Sequence, residues 1–327
     1  MRLSELGEFG LIERVAARLG EHQQDELLVG IGDDAAVWRS GRTLTIATTD
    51  TMVDGVHFVA ERADPTAVGW KCAAANASDI NAMGGACRFA LVTLGLPPTT
   101  DVAWVDQLYD GLGYLNRVGA AIVGGDIVRS EVTFLTLSLL GSAPLRRPWQ
   151  RGLLLRSAAR PGDFIAVSGT LGGSAGGLLI RLGQRDAPPE LRAELLQAHD
   201  RPTPPVGLGA QLVALGVRAG IDLSDGLAAD LEKLCIASGV GAEVVLDQLP
   251  VHPALQAAWP REATRLAVVG GEDYQLLVTC RPAVWQRVRA AGLPLTVIGR
   301  VRRQPGVRFL GAEGERFAGW DHFASPD

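Results

Sequence analysis

Short runs rich in β-branched and aliphatic residues alternate with stretches of helical period along the whole chain, and this alternation most narrows what the chain can fold into. Strand-like runs cover 44–48, 89–94, 120–123, 133–140, 164–167, 243–246 and 275–278. Between them, Val102, Val105, Leu108, Leu112, Leu115 and Val118 recur at helical spacing, with Asp101 as N-cap and Gly119 as the stop. A second helix starts at Ser224 or Asp225, carries Leu227, Leu231, Leu234 and Cys235 on one face, and ends at Gly239. The pattern predicts mixed α and β structure. No repeat of fixed period, heptad array or low-complexity segment is visible, so solenoids and coiled coils drop out.

A chain of 327 residues is longer than one hydrophobic core usually grows, which predicts two lobes. Prolines and arginines replace the apolar pattern across 141–152, and the domain boundary is placed there, giving 1–143 and 144–327; a second Pro-rich bend falls at 200–205. The 36 acidic and 31 basic side chains are well mixed, giving a net charge of -5 and no basic stripe, so no nucleic-acid partner is expected. Cys72, Cys87, Cys235 and Cys280 show no Cys-x-x-Cys spacing and lie in apolar contexts, which reads as reduced structural thiols. The first residues lack the order of a signal peptide, and no uncharged apolar run approaches the roughly 20 residues needed to span a bilayer. A cytoplasmic protein with no membrane partner is expected.

Chemistry concentrates where apolar runs end. Aspartates beside glycine or threonine recur in Gly-Ile-Gly-Asp-Asp at 30–34, Thr-Thr-Asp-Thr at 48–51, Gly-Gly-Asp at 124–126 and Ile-Asp-Leu-Ser-Asp-Gly at 221–226. Asn76 and Asp79, three apart, add an amide and a carboxylate on one helix face. In α/β sheets, strand ends that open into a crevice bind ligands. Carboxylates there suit Mg²⁺, a hard cation held by a few carboxylates plus substrate phosphates. Each Asp alone is as readily a turn or cap residue, and Asp225 has a second reading as the cap of the helix it precedes; five such motifs together favour a metal site. Metal-assisted phosphoryl transfer fits this set, because there the protein mainly positions groups and supplies positive charge. Neither a P-loop nor the kinase catalytic-loop signature is present. The glycine cluster at 168–177 reads either as a phosphate cradle of backbone N–H groups or as a tight strand-to-helix turn.

In order and number, these motifs resemble the thiamine-monophosphate kinases of the aminoimidazole-ribonucleotide synthetase-like superfamily. The match runs from Gly-Glu-Phe-Gly-Leu-Ile at 7–12 through the acidic motifs, Gly-Val-His-Phe at 55–58, Asn-Ala-Ser-Asp-Ile-Asn-Ala-Met-Gly at 76–84 and Gly-Gly-Glu-Asp-Tyr at 270–274 to Trp-Asp-His-Phe at 320–323. The resemblance implies an α/β (α+β) two-domain fold, with an N-terminal mixed sheet and a C-terminal α+β domain, and a homodimer. It implies transfer of the γ-phosphoryl group of ATP to thiamine monophosphate with several Mg²⁺ ions. Metal ligands would be Asp33, Thr48, Thr49, Asp50, Asp79, Asp126, Asp222 and Asp225, with Asp50 and Asp126 acting in catalysis through metal. Nucleotide contacts would come from Tyr109, Gly125, Asp126, Arg156 and Ser224. His57 and Glu272 would contact the acceptor, and Phe317 or its rival Trp320 would pack on the acceptor's rings. No general base is expected, because the acceptor phosphate oxygen is already anionic at neutral pH. Within the superfamily, a selenophosphate synthetase is disfavoured because the first cysteine is Cys72. Aminoimidazole-ribonucleotide synthetase and a non-catalytic Mg-nucleotide regulator remain as rivals.

Overall fold

The computed structural model of the chain describes residues 3–19, 24–312, 315 and 317. Helix α1 (Leu3–Leu19), strands β1 (Leu27–Val29), β2 (Ala36–Ser40) and β3 (Thr43–Val53), helix α2 (Pro65–Ala82), strand β4 (Ala86–Leu96), helices α3 (Val102–Leu112) and α4 (Tyr114–Arg117), and strands β5 (Ala121–Arg129) and β6 (Phe134–Pro144) make the first half. The second half runs β7 (Phe164–Ser168), α5 (Gly173–Arg181), α6 (Pro189–Asp200), α7 (Leu208–Leu215), β8 (Ala219–Asp222), α8 (Leu227–Ser238), β9 (Gly241–Val245), α9 (Pro253–Ala258), α10 (Ala263–Val269), β10 (Leu276–Cys280), α11 (Pro282–Ala290), β11 (Leu295–Arg302) and β12 (Gly306–Leu310). Two six-stranded sheets result, ordered β1-β2-β3-β6-β4-β5 and β12-β9-β11-β7-β10-β8. Among the described strands, only β4/β5 and β12/β9 pair in parallel.

One large apolar cluster fills the first half, the second half buries its residues in further clusters, and α2 lies where the halves meet, its Ala82 packed into one of the latter. Asp64 caps this helix by accepting from Thr66 N, Pro65 occupies the first turn, and alanines favour the rest. Its small residues let backbone approach from every side: α2 packs on β3 and β6 of the first sheet, on α3, and across to β8, α6 and α7 of the second half. The crossing with α3 is tight. A Cβ on Gly69 would lie 2.1 Å from the Leu108 carbonyl oxygen, and one on Gly111 would lie 2.0 Å from that of Thr66. Asn81 Oδ1 accepts from Gly209 N at 2.9 Å, tying the end of α2 to α7.

The expected helix over 102–118 is interrupted: Asp101 caps it as expected, but it ends at Leu112 and resumes for one turn from Tyr114. The helix expected at Ser224 or Asp225 starts at Leu227, and its N-cap is Gly226. Asp225 is therefore not the cap. Asp230, in the first turn, instead accepts the N–H groups of Asp225 and Gly226 at 2.9 and 3.1 Å.

Candidate active site

Strand alternation decides which aspartates meet. In β3, Leu44, Ile46 and Met52 face the core, so Thr48 and Asp50, in phase with them, point toward α2. Thr48 Oγ1 donates to Asp79 Oδ2 on α2 at 2.5 Å. From the preceding residue of the same helix, Ser78 Oγ donates to Asp222 Oδ2 at 2.7 Å, and Asp222 ends β8 of the second sheet. Asp34 completes the group: among the described residues, Asp34, Asp79 and Asp222 offer ligand oxygens all within 4.8 Å of one another. The site therefore draws on both sheets and is assembled by one helix.

The electrostatics are those of a site short of positive charge. Burial, then repulsion from Asp50, Asp222 and Asp34, pushes the Asp79 carboxyl well above its usual range. Burial, then the charge of Asp34, does the same to Asp222. Asp50 rises to about 6, chiefly through burial, while a hydrogen bond with Asp79 pulls the other way. Burial and the neighbouring Asp34 raise Asp33 to about 7. Against these acids stands Arg156, whose Nε donates to Asp34 Oδ1 at 3.0 Å and whose Nη2 bonds the same oxygen; its backbone N–H donates to Asp33 Oδ2 at 3.2 Å. On α8, Lys233 pairs with Asp225 and, at 2.7 Å, with Asp230.

Asp34 Oδ2 and Asp50 Oδ2 are buried with no hydrogen-bond partner. Orphaned carboxylate oxygens inside a repulsive cluster fit a divalent cation, since oxygen-only ligands suit Mg²⁺ and an unpaired buried charge is costly.

Beside the cluster, the 270–274 loop is held in an unusual backbone. Glu272 and Tyr274 have φ of 63° and 50°, the left-handed region that non-glycine residues rarely adopt. Glu272 N donates to Ser224 O and Tyr274 N to Leu223 O, both at 2.8 Å. His57 Nδ1 accepts from Val53 N at 3.1 Å; burial pushes the Glu272 carboxyl up, but Lys71 first, then His199 and to a smaller degree His57, hold it below its ordinary range.

The remaining expected site residues stand apart from these groups. Thr49 points to the other face of the sheet, with its hydroxyl 3.1 Å from Ser138 Oγ. Asp126 pairs with Thr93, which pairs in turn with Thr136 and that with Thr51; Asp126 therefore lies on that same open face, about 14 Å across three strand spacings from β3. Gly125 packs its Cα against the Val92 carbonyl, where a Cβ would lie 1.9 Å from the oxygen. Tyr109 is exposed on α3. Phe317 packs edge-on against Phe309, centroids 4.9 Å apart, in the core of the second half. Trp320 lies outside the described residues. The glycine cluster at 168–177 is a strand-to-helix turn whose amides at the helix start are already used: Gly172 N and Ser174 N donate to Asp273 at 2.6 and 3.1 Å, and Leu171 N to Pro250 O at 2.8 Å. That occupancy corrects the cradle reading. Asp34, Ser78, Lys71 and His199 are not singled out by sequence. The Asp-Asp doublet is the one visible hint of Asp34, and the others become legible only once α2 is seen buried on all sides.

Comparison with known proteins agrees with this architecture. Residues 32–143 match the model of the AIR synthase related protein N-terminal domain, and residues 160–311 that of the C-terminal domain. The thiamine-monophosphate kinase of Mycobacterium tuberculosis H37Rv is 37% identical over 99% of this chain and 94% of its own length. That of Escherichia coli K12 is 38% identical over 98% and 99%. A solved structure of AaThiL complexed with AMPPCP and TMP superposes with a TM-score of 0.87, at 35% identity, covering 98% of this chain and 99% of that one. With both domains matched in order and relatives aligned over nearly their full length, the chain belongs to the thiamine-monophosphate kinase family of AIR synthase related proteins.

Proposed function

We propose that the chain transfers the γ-phosphoryl group of ATP to the phosphate of thiamine monophosphate, forming thiamine diphosphate and ADP by direct in-line displacement. The observation that carries this is the convergence of Asp34, Asp79 and Asp222 at the junction of the two sheets, in a chain that aligns with a relative complexed with AMPPCP, an ATP analogue, and TMP. Mg²⁺ ions held by these carboxylates, with Asp33, Asp50 and Thr48 beside them, supply the positive charge that offsets repulsion between the two anionic substrates.

The chain's own residues orient the rest. Thr48 and Ser78 fix Asp79 and Asp222 by one hydrogen bond each, and Arg156 keeps a permanent cation at the rim of the cluster for phosphate. Ser224 anchors the loop that carries Glu272, which with His57 forms the acceptor side. No side chain needs to remove a proton, because the attacking phosphate oxygen is anionic. Asp225 joins the metal site from its pairing with Lys233, Tyr109 and Gly125 contact the nucleotide, and an aromatic near the C-terminus, Phe317 or Trp320, packs on the acceptor's rings.

We assign residues 1–143 to metal and nucleotide binding and dimerisation, and 144–327 to completing the site. The homodimer reading is supported by Phe89, Leu91, Val123 and Ile127, which are 51%, 47%, 59% and 65% exposed around edge strand β5. A partner packed there explains why Thr49 and Asp126 face away from the cluster. The free, buried cysteines suit a cytoplasmic protein. ADP release measured with thiamine monophosphate, with thiamine and with no acceptor tests the function. Release that requires Mg²⁺ and thiamine monophosphate is expected. Nucleotide binding without turnover would replace the reading by that of a regulator, and preference for thiamine would overturn the acceptor.

A further inference from the structure

Behind Glu272 lies a buried polar cluster that neither the metal nor the nucleotide side uses. Lys71 on α2 is 6% exposed, between Trp70 and a run of cysteine and alanines. Its Nζ is 3.0 Å from Glu272 Oε2 and 3.2 and 3.3 Å from the Nε2 and Nδ1 of His199 on α6. His199 is 7% exposed; its Nδ1 is 3.0 Å from Ser174 Oγ in the first turn of α5 and 3.4 Å from Glu272 Oε2. Lys71 has only donors to offer. The tautomer with Nε2 accepting from Lys71 and Nδ1–H directed between Ser174 and Glu272 serves every contact except that of Lys71 with Nδ1, where both groups are donors.

A buried ammonium is costly unless paired, and lysine is among the residues least often fully buried. Here it is paired with one oxygen of one carboxylate, on a residue whose backbone is itself strained and clamped. Ser224 holds the Glu272 N–H, and Asp273, the next residue, is fastened to the α5 amides. The carboxylate of Glu272 is thus gripped from α2 in the first half and from α6 in the second, with α5 behind them holding His199 and Asp273. Two turns further along α2 lies Asp79 of the acidic cluster, so one helix sets the spacing between metal site and acceptor side.

We propose that Lys71 and His199 are positioning residues that hold the Glu272 carboxylate ionised and in one orientation for the acceptor. This rests on Glu272 touching the acceptor, as proposed above. Steady-state kinetics of the full chain separate the two readings. Glu272→Gln is expected to raise KM for thiamine monophosphate about tenfold or more, with KM for ATP within about threefold. Lys71→Met is expected to do the same and to move the acid limb of kcat/KM for the acceptor to higher pH, an effect that general loss of packing does not produce. His199→Leu is expected to follow Lys71→Met, whereas His199→Gln, keeping one donor and one acceptor, recovers most of the affinity. In the Glu272→Gln background, Lys71→Met is expected to add little. A raised KM in Glu272→Gln with an unchanged KM and acid limb in Lys71→Met would overturn the positioning role alone. So would a Lys71→Met penalty that persists in full without the glutamate. An unchanged KM in Glu272→Gln would remove Glu272 from the acceptor side and both readings with it. If Lys71→Met does not fold, the His199→Leu and His199→Gln pair, each with and without Glu272→Gln, gives the same decision.

Discussion

Neutralising one carboxylate of the acidic cluster should stabilise the metal-free protein while destroying its use for metal. Asp79 is the informative position, because Asn keeps an oxygen to accept from Thr48 and nearly the same volume. Two unit charges with oxygens within 4.8 Å repel by about 3 kcal/mol at an effective dielectric constant near 20. The upward displacement of the Asp50 and Asp79 carboxyls, by burial first and repulsion from neighbouring carboxylates next, relieves part of this by protonation, leaving about 1–3 kcal/mol for Asp79→Asn to recover. In thermal unfolding at pH 7.5 with a chelator, the variant should melt higher than wild type by about 2–12 °C, judged from the scaling for domains of 150–250 residues. Added Mg²⁺ should raise the wild-type Tm and leave that of the variant nearly unmoved, with turnover lower by two orders of magnitude or more. A variant that melts lower than wild type in chelator, or gains the same Tm from Mg²⁺, would refute the repulsive-cluster account.

Three further outcomes follow from the same geometry. Gly69→Ala or Gly111→Ala drives a methyl into a backbone carbonyl at the α2/α3 crossing and should cost at least about 2 kcal/mol in urea unfolding. Arg156→Met strands Asp34 without its ion-pair partner and should cost about 3–5 kcal/mol in chelator at pH 8; adding Asp34→Asn should recover most of that loss. His199 is held down to about 4 by burial first and Lys71 next, with Arg181 adding and Glu272 and Asp200 opposing. Its contribution is therefore fully present above about pH 6.5 and is lost as pH falls toward 4, by about 3 kcal/mol. The urea midpoint of wild type should fall more than that of His199→Gln across this window, the difference isolating His199 from the carboxylates that titrate alongside.

Much of the fold is written in periodicity. The long runs that became β3, β4, β6, β7 and β10 have bodies of β-branched and aliphatic residues, and Asp101 and Gly239 cap their helices as their types demand. The Gly113 break between α3 and α4 is hidden, because Leu115 and Val118 continue the apolar spacing across it. The acidic motifs locate the site, but their membership turns on which face of a sheet each residue occupies, and that is settled by register between distant strands. Thr48 and Thr49 are neighbours in sequence and opposite in direction. Asp126 sits on an edge strand that a sequence reading places level with the rest. Lys71 is the clearest omission. A lysine in an alanine-rich helix reads as a solvated side chain, and only α6 and the 270–274 loop closing over it make it a buried partner of Glu272.

Single-turnover transfer from ATP labelled in its γ-phosphoryl group tests the central claim most directly. With enzyme in excess, Mg²⁺ and thiamine monophosphate, the label should appear in the terminal phosphate of thiamine diphosphate at the rate ADP forms, and Asp222→Asn should abolish both together. Label released as inorganic phosphate, label trapped on the protein, or undiminished transfer by Asp222→Asn would contradict the account.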